Sequence, residues 1–168
     1  MPVGPPQRHG MPLTRRTLAG GILVGVGVAA FVDEVVFHQL LHWHHFYDRS
    51  TTDVGLVSDG LFHAGGWLAT VAGLFLYADL RRRDGLVRPA WWSGVCLGIG
   101  GFQLYDGTIQ HKVLRLHQIR YDVDPAPYDW TWNVIAVLFL AAGAALWLRA
   151  RRAGAAAHGR ADAHAGTA

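Results

Sequence analysis

Four apolar runs, each about twenty residues long and each bounded by short basic or polar segments, divide the stretch from Leu18 to Leu148, and no other feature constrains the fold as strongly. A run of that length is what an α-helix needs to cross a hydrocarbon core about 30 Å thick at about 1.5 Å per residue. The helices fall at about 18–43, 55–80, 89–116 and 130–148. The expected fold class is all-α, an integral membrane four-helix bundle. Composition agrees: 51% of the 168 residues are hydrophobic and only 16% are charged, a smaller charged share than soluble domains carry. An ordinary water-soluble enzyme and a disordered chain are both disfavoured. Cys96 is the single cysteine, which excludes a disulfide framework and a cysteine-based zinc cluster. A metal site must therefore draw on the ten histidines and the carboxylates.

Arginines near span ends are retained on the cytoplasmic side. Arg8, Arg15 and Arg16 precede the first helix, Arg81, Arg82, Arg83 and Arg88 fill the second loop, and Arg149, Arg151, Arg152 and Arg160 follow the fourth helix. The first loop has Arg49 against Asp48 and Asp53, and the third mixes Lys112, Arg115 and Arg120 with Asp122, Asp124 and Asp129. This pattern predicts a multi-pass inner-membrane protein with both termini cytoplasmic. Residues 1–17 form the cytoplasmic N-terminal segment, 18–148 the four-span domain and 149–168 a disordered cytoplasmic tail. A signal peptide is disfavoured because no convincing cleavage site precedes Asp33 and the polar residues beyond it continue at helical spacing. The lipid bilayer is the expected partner. The net charge of +3 comes from these span-flanking clusters, with no basic recognition face, so nucleic acid is not expected. The sequence leaves protein partners open, a homo-oligomer among them.

Ionisable side chains inside a span cost roughly 2.5–3.5 kcal/mol at mid-bilayer and call for a reason. Here they gather at one depth. Counting along the helices from the inner end, Asp33 and Glu34 lie about 22–24 Å across and His38 about 30 Å. Asp59 and His63 on the second helix, and Gln103, Asp106, Gln110 and His111 on the third, fall in the same outer third. The inner halves carry almost nothing ionisable, which argues against a continuous ion pathway. Spacing of i, i+4 predicts stripes of Glu34, His38 and His42, extended by His45; of Asp59 and His63; and of Gln103, Asp106, Gln110 and His117. Gly21 and Gly25, Ala69 and Gly73, and Gly94 and Gly98 are small-residue pairs that permit close helix packing.

Imidazoles beside carboxylates suit a metal ion, with zinc, copper or iron all compatible, either as direct ligands or as acceptors that fix the histidine tautomer. His38 and His63 lead because each has a carboxylate one turn away, followed by His111 and then His42; His44, His45 and His117 lie nearer the membrane edge. The alternatives are a hydrogen-bonded histidine and aspartate belt without metal, serving membrane assembly or partner binding, and noncovalent haem between facing helices. A catalytic use would need an open coordination position, with Asp59, Glu34 or Asp106 as base and Ser58 to orient water.

The segments Phe31-Val32-Asp33 through His38-Gln39-Leu40-Leu41-His42-Trp43-His44-His45, Asp59-Gly60-Leu61-Phe62-His63, and Gln103-Leu104-Tyr105-Asp106-Gly107 through Leu116-His117-Gln118-Ile119-Arg120 give the chain a family likeness. It resembles the bacterial "predicted membrane protein" family known as domain of unknown function twenty-two forty-three, over about residues 18–148. The resemblance implies four spans and no established activity. In that family's pattern Gly is usual at the position of Glu34, Gln at His42, Asn at Gln103 and Glu at Asp106, with His-His pairs where this chain has His111-Lys112 and His117-Gln118. The shared set it implies is Asp33, His38, His44, His45, Asp59, His63, Asp106, His111 and His117, and Glu34 and His42 lose weight as ligands.

Overall fold

The computed structural model of the chain describes residues 13–165, and among these there are four long helices and no strand. Helix α1 spans Leu13–Asp33 and runs on as a π-helical segment, Glu34–Leu40. Helix α2 spans Thr52–Arg82, with the Thr51 hydroxyl accepting from the Val54 N–H to satisfy one of its unpaired amides. Helix α3 spans Arg88–Tyr105, with Pro89 in its first turn where no amide is needed, and continues as a second π-helical segment, Asp106–Leu114. Helix α4 spans Ala126–Ala165.

Two boundaries differ from the expected ones in a way that matters. The first and third helices do not stay α-helical to 43 and 116; each loosens into π geometry and ends at Leu40 or Leu114. His42, Trp43, His44, His45 and His117 therefore lie in loops, and the expected stripe of Glu34, His38 and His42 is broken, with His42 exposed at a φ of 51°. The tail expected to be unstructured from 149 is instead helical to Ala165, as the high helix propensity of its alanines allows. The first twelve residues of the expected N-terminal segment lie outside the described residues.

Helices α1 and α3 form the central pair, α2 packs on α1 and α4 on α3, and no packing of α2 on α4 is seen among the described residues. Glycine sets the central contact. A Cβ on Gly21, Gly25, Gly94 or Gly98 would overlap a backbone carbonyl of the facing helix, so the two backbones touch where side chains would otherwise hold them apart. Helices α1, α2 and α4, with the first π segment included, are long and apolar enough to cross a membrane; α3 is less apolar by that measure and is sheltered by α1 and α4. Half of the apolar window of α1 is buried, against 11% in α2 and 17% in α4. The flanking helices accordingly present large side chains such as Leu61, Trp67, Phe75, Trp130 and Leu138 outward, as a bilayer environment requires.

Candidate metal centre

Both π-helical segments lie at the end of the molecule closed by the loops 41–51 and 115–125, and both deliver the same chemistry. In a π-helix residues five apart are bonded neighbours. Asp33 and His38 are so related, as are Asp106 and His111, and each pair is buried. The following loops then fold back to add one further imidazole each. Asp33, His38 and His44 form one group of donor atoms lying within 4.8 Å of one another, Asp106, His111 and His117 form a second, and Glu34, His38 and Asp59 form a third that shares His38 with the first.

The second group is the tighter. His111 Nε2 stands 3.0 Å from His117 Nε2 and 3.1 Å from Asp106 Oδ2, and His117 Nε2 is 3.5 Å from Asp106 Oδ1. On the far side of His117, its Nδ1 is 2.9 Å from the Phe46 carbonyl, where only an N–H can donate. His111 Nδ1 faces Asp129 Oδ1 at 3.5 Å, and Gln110 donates to the remaining oxygen of Asp106 at 2.9 Å. In the first group His38 Nδ1 meets Asp59 at 3.1 Å and Glu34 at 2.9 Å, and His44 Nδ1 donates to the Ile119 carbonyl at 2.8 Å. Among the described residues the Nε2 atoms of His38 and His44 have no hydrogen-bond partner, and His38 Nε2 stands 3.7 Å from Asp33 Oδ2. The outer nitrogens of His38, His44 and His117 are thus held by carboxylates or carbonyls, leaving the inner ones available as lone pairs, the arrangement that second-shell partners impose on metal-binding histidines.

Burial makes the arrangement demanding. Asp33, Glu34, His38, His44, Asp59, Asp106, His111, His117 and Asp129 are each at most 8% exposed. Of the Lys and Arg side chains among the described residues, only Lys112, on Asp129, pairs with any of these five carboxyl groups. Acids concentrated this way in a weakly polar interior call for protons or a bound cation. For His44, in the loop beyond the span, burial and the adjoining His117 and His38 rings push the pKa down to about 2, so its ring is neutral.

Not every expected residue joins a triad. Asp59 belongs with Glu34 and His38 rather than to either Asp-His-His group, and its oxygens already take up His38, His45 Nδ1 at 2.6 Å and the Phe46 N–H at 2.7 Å, so it holds those ligands in place from outside. His45 sits on the outer side of Asp59 and is partly exposed. His63, expected to share a stripe with Asp59, is half-buried against the Phe31 ring at 5.7 Å and belongs to neither triad. Asp59 is taken instead by His38 of the π segment, at 3.1 Å. Asp129, expected in the third loop, takes part unexpectedly: it sits in the first turn of α4 and faces His111. The aromatic cover is likewise tertiary: Arg120 lies over the rings of Trp43 and Tyr128 at 4.9 and 5.3 Å and donates to the Tyr128 hydroxyl.

Residues 20–150 match the family model described as Predicted membrane protein (DUF2243). The chain belongs to this family. No curated protein and no solved structure matches it. DUF2243 supplies the membrane and no chemistry, so the chemistry rests on the residues just described.

Proposed function

We propose that this DUF2243 protein binds a transition-metal ion through Asp106, His111 and His117, as a multi-pass protein of the plasma membrane acting in metal handling or as a redox or hydrolytic centre. The arginine distribution supports placing both termini in the cytoplasm and the metal near the outer face. One observation carries the reading. His117 Nδ1 donates to Phe46, so its Nε2 is a lone pair, and that lone pair faces His111 Nε2 at 3.0 Å. With its proton on Nδ1, His111 opposes lone pair to lone pair; with the proton on Nε2, its Nδ1 opposes the Asp129 carboxylate. A metal ion on the Nε2 side resolves both, and two imidazoles bound at about 2.0–2.1 Å fit such a spacing. Two histidines and one carboxylate form a donor set used by zinc and by non-haem iron, and they leave coordination positions open for water or a substrate.

The same observation admits a second arrangement, a doubly protonated His111 held between Asp106 and Asp129, which would make the cluster a metal-free belt in an assembly or partner-binding protein. Haem finds less support, because the imidazoles stack and abut, with His44 and His117 rings 4.5 Å apart and nearly parallel, where a porphyrin would have to stand between them. Detergent-purified protein separates the three. The metal reading expects at least one zinc, copper or iron ion per chain by elemental analysis and its loss from the second triad in the His111→Ala, His117→Ala double variant. Metal-free protein that also fails to take up added zinc establishes the belt, and a Soret absorption band establishes haem.

A further inference from the structure

The two triads are copies. Asp33, His38 and His44 recur, at identical internal spacing, as Asp106, His111 and His117, so the motif Asp-x4-His-x5-His occurs twice. The same shift along the sequence carries Gly21 onto Gly94, Gly25 onto Gly98 and Gly27 onto Gly100. The backbone obeys it too. Trp43 N–H donates to Phe37 and Leu116 N–H to Gln110 at matching positions, and His42 and Arg115, also matching, share a φ of 51°. Contacts between the halves are reciprocal: His44 bonds the carbonyl of Ile119 while His117 bonds that of Phe46, which is the counterpart of Ile119. A Cβ on Gly21 would strike the Trp91 carbonyl and one on Gly94 the Leu18 carbonyl, again exchanged partners. In the flanking helices Asp59 supports His38 as Asp129 faces His111. The chain is therefore two helical hairpins related by an approximate two-fold axis, with His44 and His117 stacked beside it.

We infer that the protein holds two divalent transition-metal ions, one in each triad, in adjoining sites related by this axis. The inference rests on the metal-binding reading and specifies its stoichiometry. The first triad qualifies on its own evidence, since the Nε2 atoms of His38 and His44 are buried, unpartnered and gathered with Asp33. Among the described residues no group of donor atoms lying within 4.8 Å of one another spans the two halves, so each half gathers its own ligand set. Glu34 has Gly107 as its counterpart, which marks it as an addition to one half and leaves the shared Asp, His, His set as the repeated ligand unit.

The test is titration of metal-stripped, detergent-purified full chain with Zn(II), read by calorimetry and elemental analysis, and with Co(II), read by visible absorption. Two ions per chain are expected, with the Co(II) bands rising to two equivalents. The His38→Ala, His44→Ala and the His111→Ala, His117→Ala double variants should each keep one ion. One ion per chain, whether lost only with the second triad or with either, overturns the two-site inference while leaving metal binding standing. No ion at all removes both. The Co(II) titration of the unaltered protein decides the stoichiometry even where a double variant does not fold.

Discussion

At the scale of single residues, the centre depends on what lies behind the imidazoles as much as on the imidazoles. Asp59 holds His38, His45 and a loop amide together, and Asp129 faces His111 while pairing with Lys112. Removing such outer partners from metal sites lowers affinity by about 10–100-fold. Asp59→Asn is expected to weaken zinc binding at the first triad by that factor and Asp129→Asn at the second, measured by competition with a chromophoric chelator. His63→Ala, at a ring packed on Phe31 outside both triads, is expected to leave zinc affinity unchanged. Equal losses in all three variants would mean that the effect is general destabilisation and that the assigned roles are wrong.

At the scale of elements, two devices cooperate. Close glycine contacts bring α1 and α3 together along their length, and π geometry then turns the outer end of each so that an aspartate and a histidine five residues apart face the partner helix. The second depends on the first, because a wider helix separation would pull the two triads and their exchanged loop bonds apart. Gly98→Leu places a side chain where a Cβ already meets the Ile22 carbonyl. Overpacking of this kind costs about 1–3 kcal/mol. The thermal midpoint in detergent should fall and zinc stoichiometry should fall with it. Gly101→Leu is the control, since nothing among the described residues lies within 4 Å of a Cβ there and the residue is exposed; it should change neither. Unaltered stability in Gly98→Leu would remove the contact from the account.

For the whole molecule, the charge pattern and the placement of the cluster make one joint prediction. If both termini face the cytoplasm, loops 41–51 and 115–125 and the metal cluster beneath them face outward. In a Cys96→Ser background, cysteines replacing the exposed Asp53 and Asp122 should react with a membrane-impermeant maleimide added to intact cells or spheroplasts, and one replacing the exposed Arg83 should react only after lysis. The reverse pattern would invert the topology and put the cluster on the inner face.

The sequence by itself determined the helices, their approximate limits and the depth of the polar band, because apolar length and the cost of buried charge act locally along the chain. It also contained the repeated Asp-x4-His-x5-His, which could have been found by comparing the chain with itself. Only the tertiary structure decided which of those residues meet. Stripes counted at α-helical spacing joined Asp59 to His63 and Glu34 to His42, whereas the π turns and the crossing loops give Asp59 to His38 and bring in His44, His117 and Asp129. Ligand grouping is a property of side chains distant in sequence, and it depends on helix separation and on a change of helical geometry that local periodicity does not encode.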